Sequence, residues 1–152
     1  MPGQRDLVKM SEPEAWRFIE SQRDMHVATL GKDGGPHLTT NWFAIVDGMV
    51  VFTSYVTSQK IVNLQRDPRI ALLFADGKIY SELRGVSVQG KAQFVSDAIE
   101  RDRVFAAIFE RNKPYYGTVY TTVAERAVAD GKRVCVKVRT ERLISWDHGK
   151  LG

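Results

Sequence analysis

A single cysteine, Cys135, occurs in 152 residues, which excludes an internal disulfide framework and fits a reducing compartment. No run approaches the ~18 apolar residues of a membrane-spanning helix. The opening MPGQRDLVKMSEPE has no apolar core behind its basic residues, so no secretory leader is expected and the expected location is cytoplasmic. Neither G-x-G-x-x-G nor G-x-x-x-x-G-K-[ST] is present, which argues against a Rossmann site or a P-loop. His26, His37, His148 and Cys135 show no metal-ligand spacing, so no metal centre is expected. There is no G-x-S-x-G elbow and no evident carboxylate pair. Cys135 lies in Val134-Cys135-Val136, where a buried, inert thiol is expected. Redox chemistry survives these exclusions, because a cofactor can bring it.

What is there is an ordinary globular composition, with 43% apolar and 26% charged residues. No repeat, linker or low-complexity stretch interrupts it, and one domain over residues 1–152 is expected. The net charge of +4 suits an anionic partner, without choosing between nucleotide cofactor, acidic metabolite and nucleic acid.

Ser11-Glu12-Pro13-Glu14 has the form of a helix start, with Trp16 and Ile19 at helical spacing and an end near Arg23. From Met25 the period changes to two. His26–Leu30, His37–Val46 and Met49–Thr53 read as a three-strand antiparallel meander, with turns at Asp33-Gly34-Gly35 and Asp47-Gly48. Thr57–Arg66 reads as a short helix with Ile61 and Leu64 inward, stopped by Asp67-Pro68. Arg69–Ala75 is an apolar strand. Val86–Phe94 alternates as a half-buried strand in which Gly90 marks a bend or bulge. Ser96-Asp97 starts a helix with Val104, Phe105, Ile108 and Phe109 on its apolar face. A Tyr-rich segment, a short helix near Thr122–Ala129 and a last strand over Arg133–Trp146 complete the chain. The expected class is α+β, mainly β: a small barrel of about six mostly antiparallel strands with peripheral helices.

The most informative segment is Phe52-Thr53-Ser54-Tyr55-Val56-Thr57-Ser58-Gln59-Lys60. A strand gives way to a Ser/Thr-rich loop and then a helix with Lys60 in its first turn. A helix N-terminus offers free backbone N–H groups and a positive dipole end to an anion. Thr57, Ser58 and Lys60 would complete a phosphate cradle. The plainer reading makes Thr57 or Ser58 an N-cap and Lys60 a solvated side chain.

Ser58-Gln59-Lys60 resembles the S-x-K phosphate motif of the pyridoxamine 5′-phosphate oxidase-like split-barrel family. Four ordered stretches resemble its flavin/deazaflavin oxidoreductase type B branch. They are Ala28-Thr29-Leu30 through Pro36-His37-Leu38-Thr39; Ser58-Gln59-Lys60 through Asp67-Pro68-Arg69; Leu83-Arg84-Gly85-Val86-Ser87-Val88-Gln89-Gly90; and Ser145-Trp146-Asp147-His148. The last two, with Lys150-Leu151-Gly152, are similar to a subgroup that binds coenzyme F420.

The resemblance implies an FMN-binding split-barrel-like homodimer with cofactor sites in the clefts between protomers. It assigns Ser58, Gln59 and Lys60 to the cofactor phosphate, with Thr57 as a neighbouring donor and Asn63 as a loop-stabilising residue. Thr39, Thr40, Asn41 and Trp42 match the segment lining the ring system, although Thr40-Asn41 replaces the Pro and aliphatic residue of many relatives. Thr53 and Ser54 would reach the ribityl chain or ring edge, and Trp146 and His148 would face the dimer cleft. Trp42 and Trp146 are equally suited to barrel or interface core.

The implied activity is hydride transfer between reduced coenzyme F420 and a small conjugated or quinone-like acceptor. Candidate proton or hydrogen-bond donors are Asn41, His37 and a tyrosine of Tyr115–Tyr120. The carboxylate tail of coenzyme F420 would favour a basic groove, for which Arg5, Lys9, Lys78 and Arg84 are candidates. The alternatives are an FMN-dependent oxidoreductase, a non-catalytic F420 carrier and, ranked last, a nucleic-acid-binding barrel.

Overall fold

The computed structural model describes the backbone of the whole chain and the side chains of all residues except 118–125 and 127. Seven strands form one antiparallel sheet, β1 (Asp24–Leu30), β2 (Pro36–Trp42), β3 (Ala44–Val46), β4 (Met49–Tyr55), β5 (Arg69–Asp76), β6 (Arg84–Phe94) and β7 (Arg133–Asp147). Their order across the sheet is β2-β1-β5-β6-β7-β4-β3. The two edge strands are therefore consecutive in the chain. Only Phe43 separates them, so the sheet curls until its edges meet as a split barrel.

The expected single strand over His37–Val46 is thus two strands. Phe43 is fully buried, with its ring edge-on to Phe74 at 4.9 Å. Anchoring it inside breaks the ladder there. β2 pairs with β1 over seven residues, whereas β3 pairs with β4 over only three. This break supplies the seventh strand that the estimate of about six lacked.

Helices pack around the sheet. α1 (Gln4–Val8) is a short turn that the sequence reading did not mark. α2 (Glu12–Ser21) starts at Ser11, whose hydroxyl accepts from the Glu14 N–H at 3.3 Å, and ends two residues earlier than expected. It buries Ala15, Phe18 and Ile19, while Trp16 packs at the margin. α3 is Gln59–Arg66. Its Ile61 and Leu64 reach the barrel interior with Val27, Phe52, Phe74 and Val88. Asn63 is completely buried and donates to Thr29 Oγ1 at 3.0 Å, the structural part expected of it.

α4 (Ala98–Ala129) begins at Asp97, whose carboxylate accepts from the Glu100 N–H at 2.8 Å. Its backbone leaves helical geometry at Gly117 (φ 65°, ψ 159°), within the expected Tyr-rich break. Of the expected helix 122–129, only the side chains of Arg126, Val128 and Ala129 are described. Val104 and Ile108 of α4 pack on Val51 and Cys135 outside the barrel, forming a second core. Burial raises the Cys135 thiol pKa to about 12, as suits an inert core residue. No helix among the described residues is long and apolar enough to cross a membrane.

β6 meets β7 with a register shift between Gln89 and Gly90. A Cβ on Gly90 would lie 2.0 Å from the Arg139 carbonyl oxygen. Gly90→Ala is therefore expected to lower stability by about 1–3 kcal/mol through overpacking. A fall in the urea midpoint at constant m-value checks this; an unchanged midpoint would contradict the close approach.

Candidate functional site

Where β2 and β4 part, a cavity of about 550 Å³ opens, within the ~300–1,000 Å³ range of small-molecule sites. Asn41 and Trp42 border it from β2, Thr53 and Ser54 from β4, and Lys60 from the first turn of α3. Tyr115 and Tyr116 border it from α4, and Arg133 from the start of β7.

Asn41 holds the seam together. Its side-chain N–H groups donate to the carbonyls of Trp42 and Thr53, each at 3.1 Å, and its Oδ1 accepts from Lys60 Nζ at 2.6 Å. Lys60 is only 8% exposed. Burial, with the Arg133 charge second, lowers its pKa below the ordinary 10.5. Neither Lys60 nor Arg133 has a salt-bridge partner among the described residues. Two cations thus face the cavity with their charge uncompensated by a carboxylate in contact; Asp24 stands exposed on its wall.

The aromatic wall is interlocked. Trp42 meets Tyr116 edge-on at 5.2 Å, and Tyr116 stacks on Phe109 at 5.4 Å. Burial raises the Tyr116 pKa, against a smaller lowering by Arg133. Arg133 lies over the Tyr55 ring at 4.3 Å, a cation–π contact that fixes its guanidinium.

Asn41, Trp42, Thr53, Ser54 and Lys60 therefore share one wall, together with Thr40. Of the other sequence-derived candidates, only Tyr115 and Tyr116 also border the cavity among the described residues. Ser58 sits at the N-cap position of α3, but its hydroxyl makes no cap bond and lies 3.0 Å from Ser54 Oγ. Thr57 is exposed in the preceding turn, and Gln59 is exposed with its amide donating to Asn63 Oδ1 at 2.8 Å. The three-residue motif thus lends the cavity one side chain directly, Lys60, and a second through Ser54. The solvated alternative for Lys60 is corrected by its burial.

Thr39 and His37 lie on the same side of β2 as Asn41, opposite Val27 and Thr29, but further from the seam, and neither borders the cavity. Trp146 covers Gly85 on β6, where a Cβ would approach its ring within 2.1 Å. His148 Nδ1 lies 2.9 Å from the Tyr80 carbonyl oxygen. Arg84 pairs with Asp76 at 2.7 Å. Tyr115 and Tyr116 border the cavity, whereas the Tyr120 side chain lies outside the described residues. Sequence reasoning missed Tyr55 and Arg133. They oppose each other in the β4–β7 register, information that no local motif carries.

A protein-family description, "Pyridoxamine 5′-phosphate oxidase", matches residues 11–147. The chain is 40% identical to a conserved hypothetical protein of Mycobacterium tuberculosis, covering 99% of this chain and 93% of that one with a TM-score of 0.85. It also resembles a FAD-binding protein of Mesorhizobium loti, at 18% identity, 90% and 94% coverage and a TM-score of 0.68. A heme storage protein of Vibrio cholerae gives 16% identity, 90% and 96% coverage and 0.71. These last two similarities show the fold alone. No curated protein matches the chain.

The depressed pKa of Lys60 has a stability consequence. The unfolded chain holds this proton more tightly than the folded one, so stability rises with pH across the interval below 10.5. Lys60→Met removes that contribution. Urea midpoints measured from pH 7 to 10 are expected to climb more in the parent than in the variant. Parallel profiles would contradict a depressed lysine.

Proposed function

Because the chain belongs to the pyridoxamine 5′-phosphate oxidase family, we propose that it is an oxidoreductase whose seam cavity holds coenzyme F420 by its phosphate. The observation that carries this reading is the Lys60 ammonium, buried on the cavity wall with an uncharged amide oxygen as its partner. A buried cation is costly to keep without a counter-charge, and a phosphate supplies one. The donor set fits such a group: Lys60 offers two further N–H donors, and Ser54 adds a hydroxyl. Thr57, Ser58 and Gln59 stay in the proposal as neighbours of that end of the site, Ser58 through Ser54.

When bound, the deazaflavin would supply a hydride-transferring carbon. The chain's own part is to position and to shield. Asn41 fixes Lys60, while Trp42, Tyr115 and Tyr116 offer apolar surface to a flat ring and exclude water from it. Thr40, Thr53 and Asn41 give that wall a polar margin. A conjugated or quinone-like molecule is the proposed acceptor. A homodimer with its clefts completing two such sites, as the resemblance implies, and a cytoplasmic setting belong to the same proposal. Thr39, His37 and Trp146 would contribute only through rearrangement or a second protomer.

A flavin is the second reading, supported by the family's description and by the neighbour named as FAD-binding. The neighbour named for heme storage shares this fold, but no histidine borders the cavity here among the described residues.

Titrating coenzyme F420 and FMN into the parent protein and Lys60→Ala distinguishes these readings. Coenzyme F420 is expected to bind more tightly than FMN, and the substitution to weaken it by roughly 1.5–3 kcal/mol, the scale of a charge-assisted hydrogen bond. Equal, weak binding of both would remove the assignment, and tighter FMN would favour the flavin. Tight binding of coenzyme F420 without acceptor-dependent oxidation of its reduced form would indicate a carrier.

A further inference from the structure

A second, smaller cavity of about 250 Å³ adjoins the first, and both are bordered by Thr53, Ile108, Tyr116 and Arg133. Among the described residues, the rest of the smaller wall is Phe105, Ala106, Phe109 and Val128, all apolar. Two polar atoms in the shared wall, Thr53 Oγ1 and Arg133 Nε, are buried with no hydrogen-bond partner among the described residues. Donors left unmatched in an apolar chamber cost about 1–3 kcal/mol each, a cost removed when a ligand oxygen accepts from them.

Shape and chemistry together narrow the ligand. Phe109 and Tyr116 are stacked with an interplanar angle of 24°, giving the chamber a flat aromatic side. The chamber's size admits a small molecule. Arg133 is held by its contact with Tyr55, which limits the positions its guanidinium takes. The two residues that carry these atoms border both cavities, the side on which a second reactant must meet a cofactor.

We propose that this chamber is the acceptor subsite, taking a small planar aromatic or conjugated molecule whose carbonyl oxygen accepts hydrogen bonds from Arg133 and Thr53. The proposal rests on reading the larger cavity as the cofactor site and gives that site its substrate class. Arg133 and Thr53 position the carbonyl. Phe105, Phe109 and Val128 select for an apolar, flat body.

Calorimetric titration of the protein loaded with oxidised coenzyme F420 tests this without turnover. The probes are 1,4-naphthoquinone and naphthalene, its counterpart without oxygen. The quinone is expected to bind at least about tenfold more tightly, and Thr53→Val to lower its affinity about fivefold, as loss of one hydrogen bond implies. Ala106 is exposed on α4 and borders only the smaller chamber. Ala106→Trp is expected to fill the chamber and abolish quinone binding, with coenzyme F420 affinity unchanged and circular dichroism as the check on folding. Equal affinity for the two probes, or quinone binding indifferent to both substitutions, would overturn the proposal. So would loss of coenzyme F420 binding in folded Ala106→Trp, which would give the chamber to the cofactor. If the parent binds no coenzyme F420, the cofactor reading falls. The same quinone comparison on the cofactor-free protein then decides the chamber's ligand class separately.

Discussion

The side-chain amide of Asn41 closes a barrel that its backbone leaves open. β2 and β4 approach at the seam without joining as neighbours in the sheet. Asn41 spans that gap to the Thr53 carbonyl, secures its own strand end at Trp42, and accepts from Lys60. One planar group thereby ties two strands and a helix in a fixed geometry. Both amide hydrogens and the carbonyl oxygen are engaged, so the group carries little unsatisfied polarity into the seam. An aliphatic residue at this position would pack, but it would neither bridge the strands nor hold an ammonium. The part that Asn41 plays at the seam is thus structural as well as chemical.

Much of the fold was legible because its signals are local. Alternation marked β1, β4 and β6, and an apolar run marked β5; Ser11 and Asp97 marked helix starts; Gly90 marked the bulge. The break at Phe43 was not, since its cause is the cavity into which its ring packs beside Phe74. The sequence His37–Val46 alternates well enough for one strand, and only curvature of the whole sheet makes it two. The site follows the same division. Lys60 stood out by its place after a strand and loop, and Asn41, Trp42, Thr53 and Ser54 by their resemblance to a known pattern. Arg133 and Tyr55 depend on strand register over nearly eighty residues of separation. Thr39 and Trp146 matched the pattern in sequence, yet Thr39 lies further along β2 from the seam than Asn41, and Trp146 is set over Gly85.

The two cores divide the mechanical work. The interior cluster fixes β4 and α3 from inside through Phe52, Ile61 and Leu64, so the seam inherits its geometry from close-packed residues. The exterior cluster clamps α4 to β4 and β7 through Val104, Ile108 and Cys135. That places Tyr116 beside Trp42 and Phe109. Chambers between a barrel and a helix are easily lost to collapse; here bulky aromatics in edge and stacked contacts prop them open. Polar atoms without partners persist at the shared wall because the surrounding packing cannot follow them.

Charge is distributed with the same selectivity. Arg69, Arg84, Arg103, Lys137 and Lys150 pair with Asp67, Asp76, Asp47, Glu100 and Glu14 around the surface. Such exposed pairs contribute little stability each, but they cancel their own fields. Lys60 and Arg133 have no carboxylate in contact, and both border the seam cavity. In a partly buried site, with less water to screen them, their potential reaches further than that of the surface cations. A net charge of +4 is too small to direct an anion by itself. Two cations without a carboxylate in contact, set together on one partly buried wall, attract it to that place.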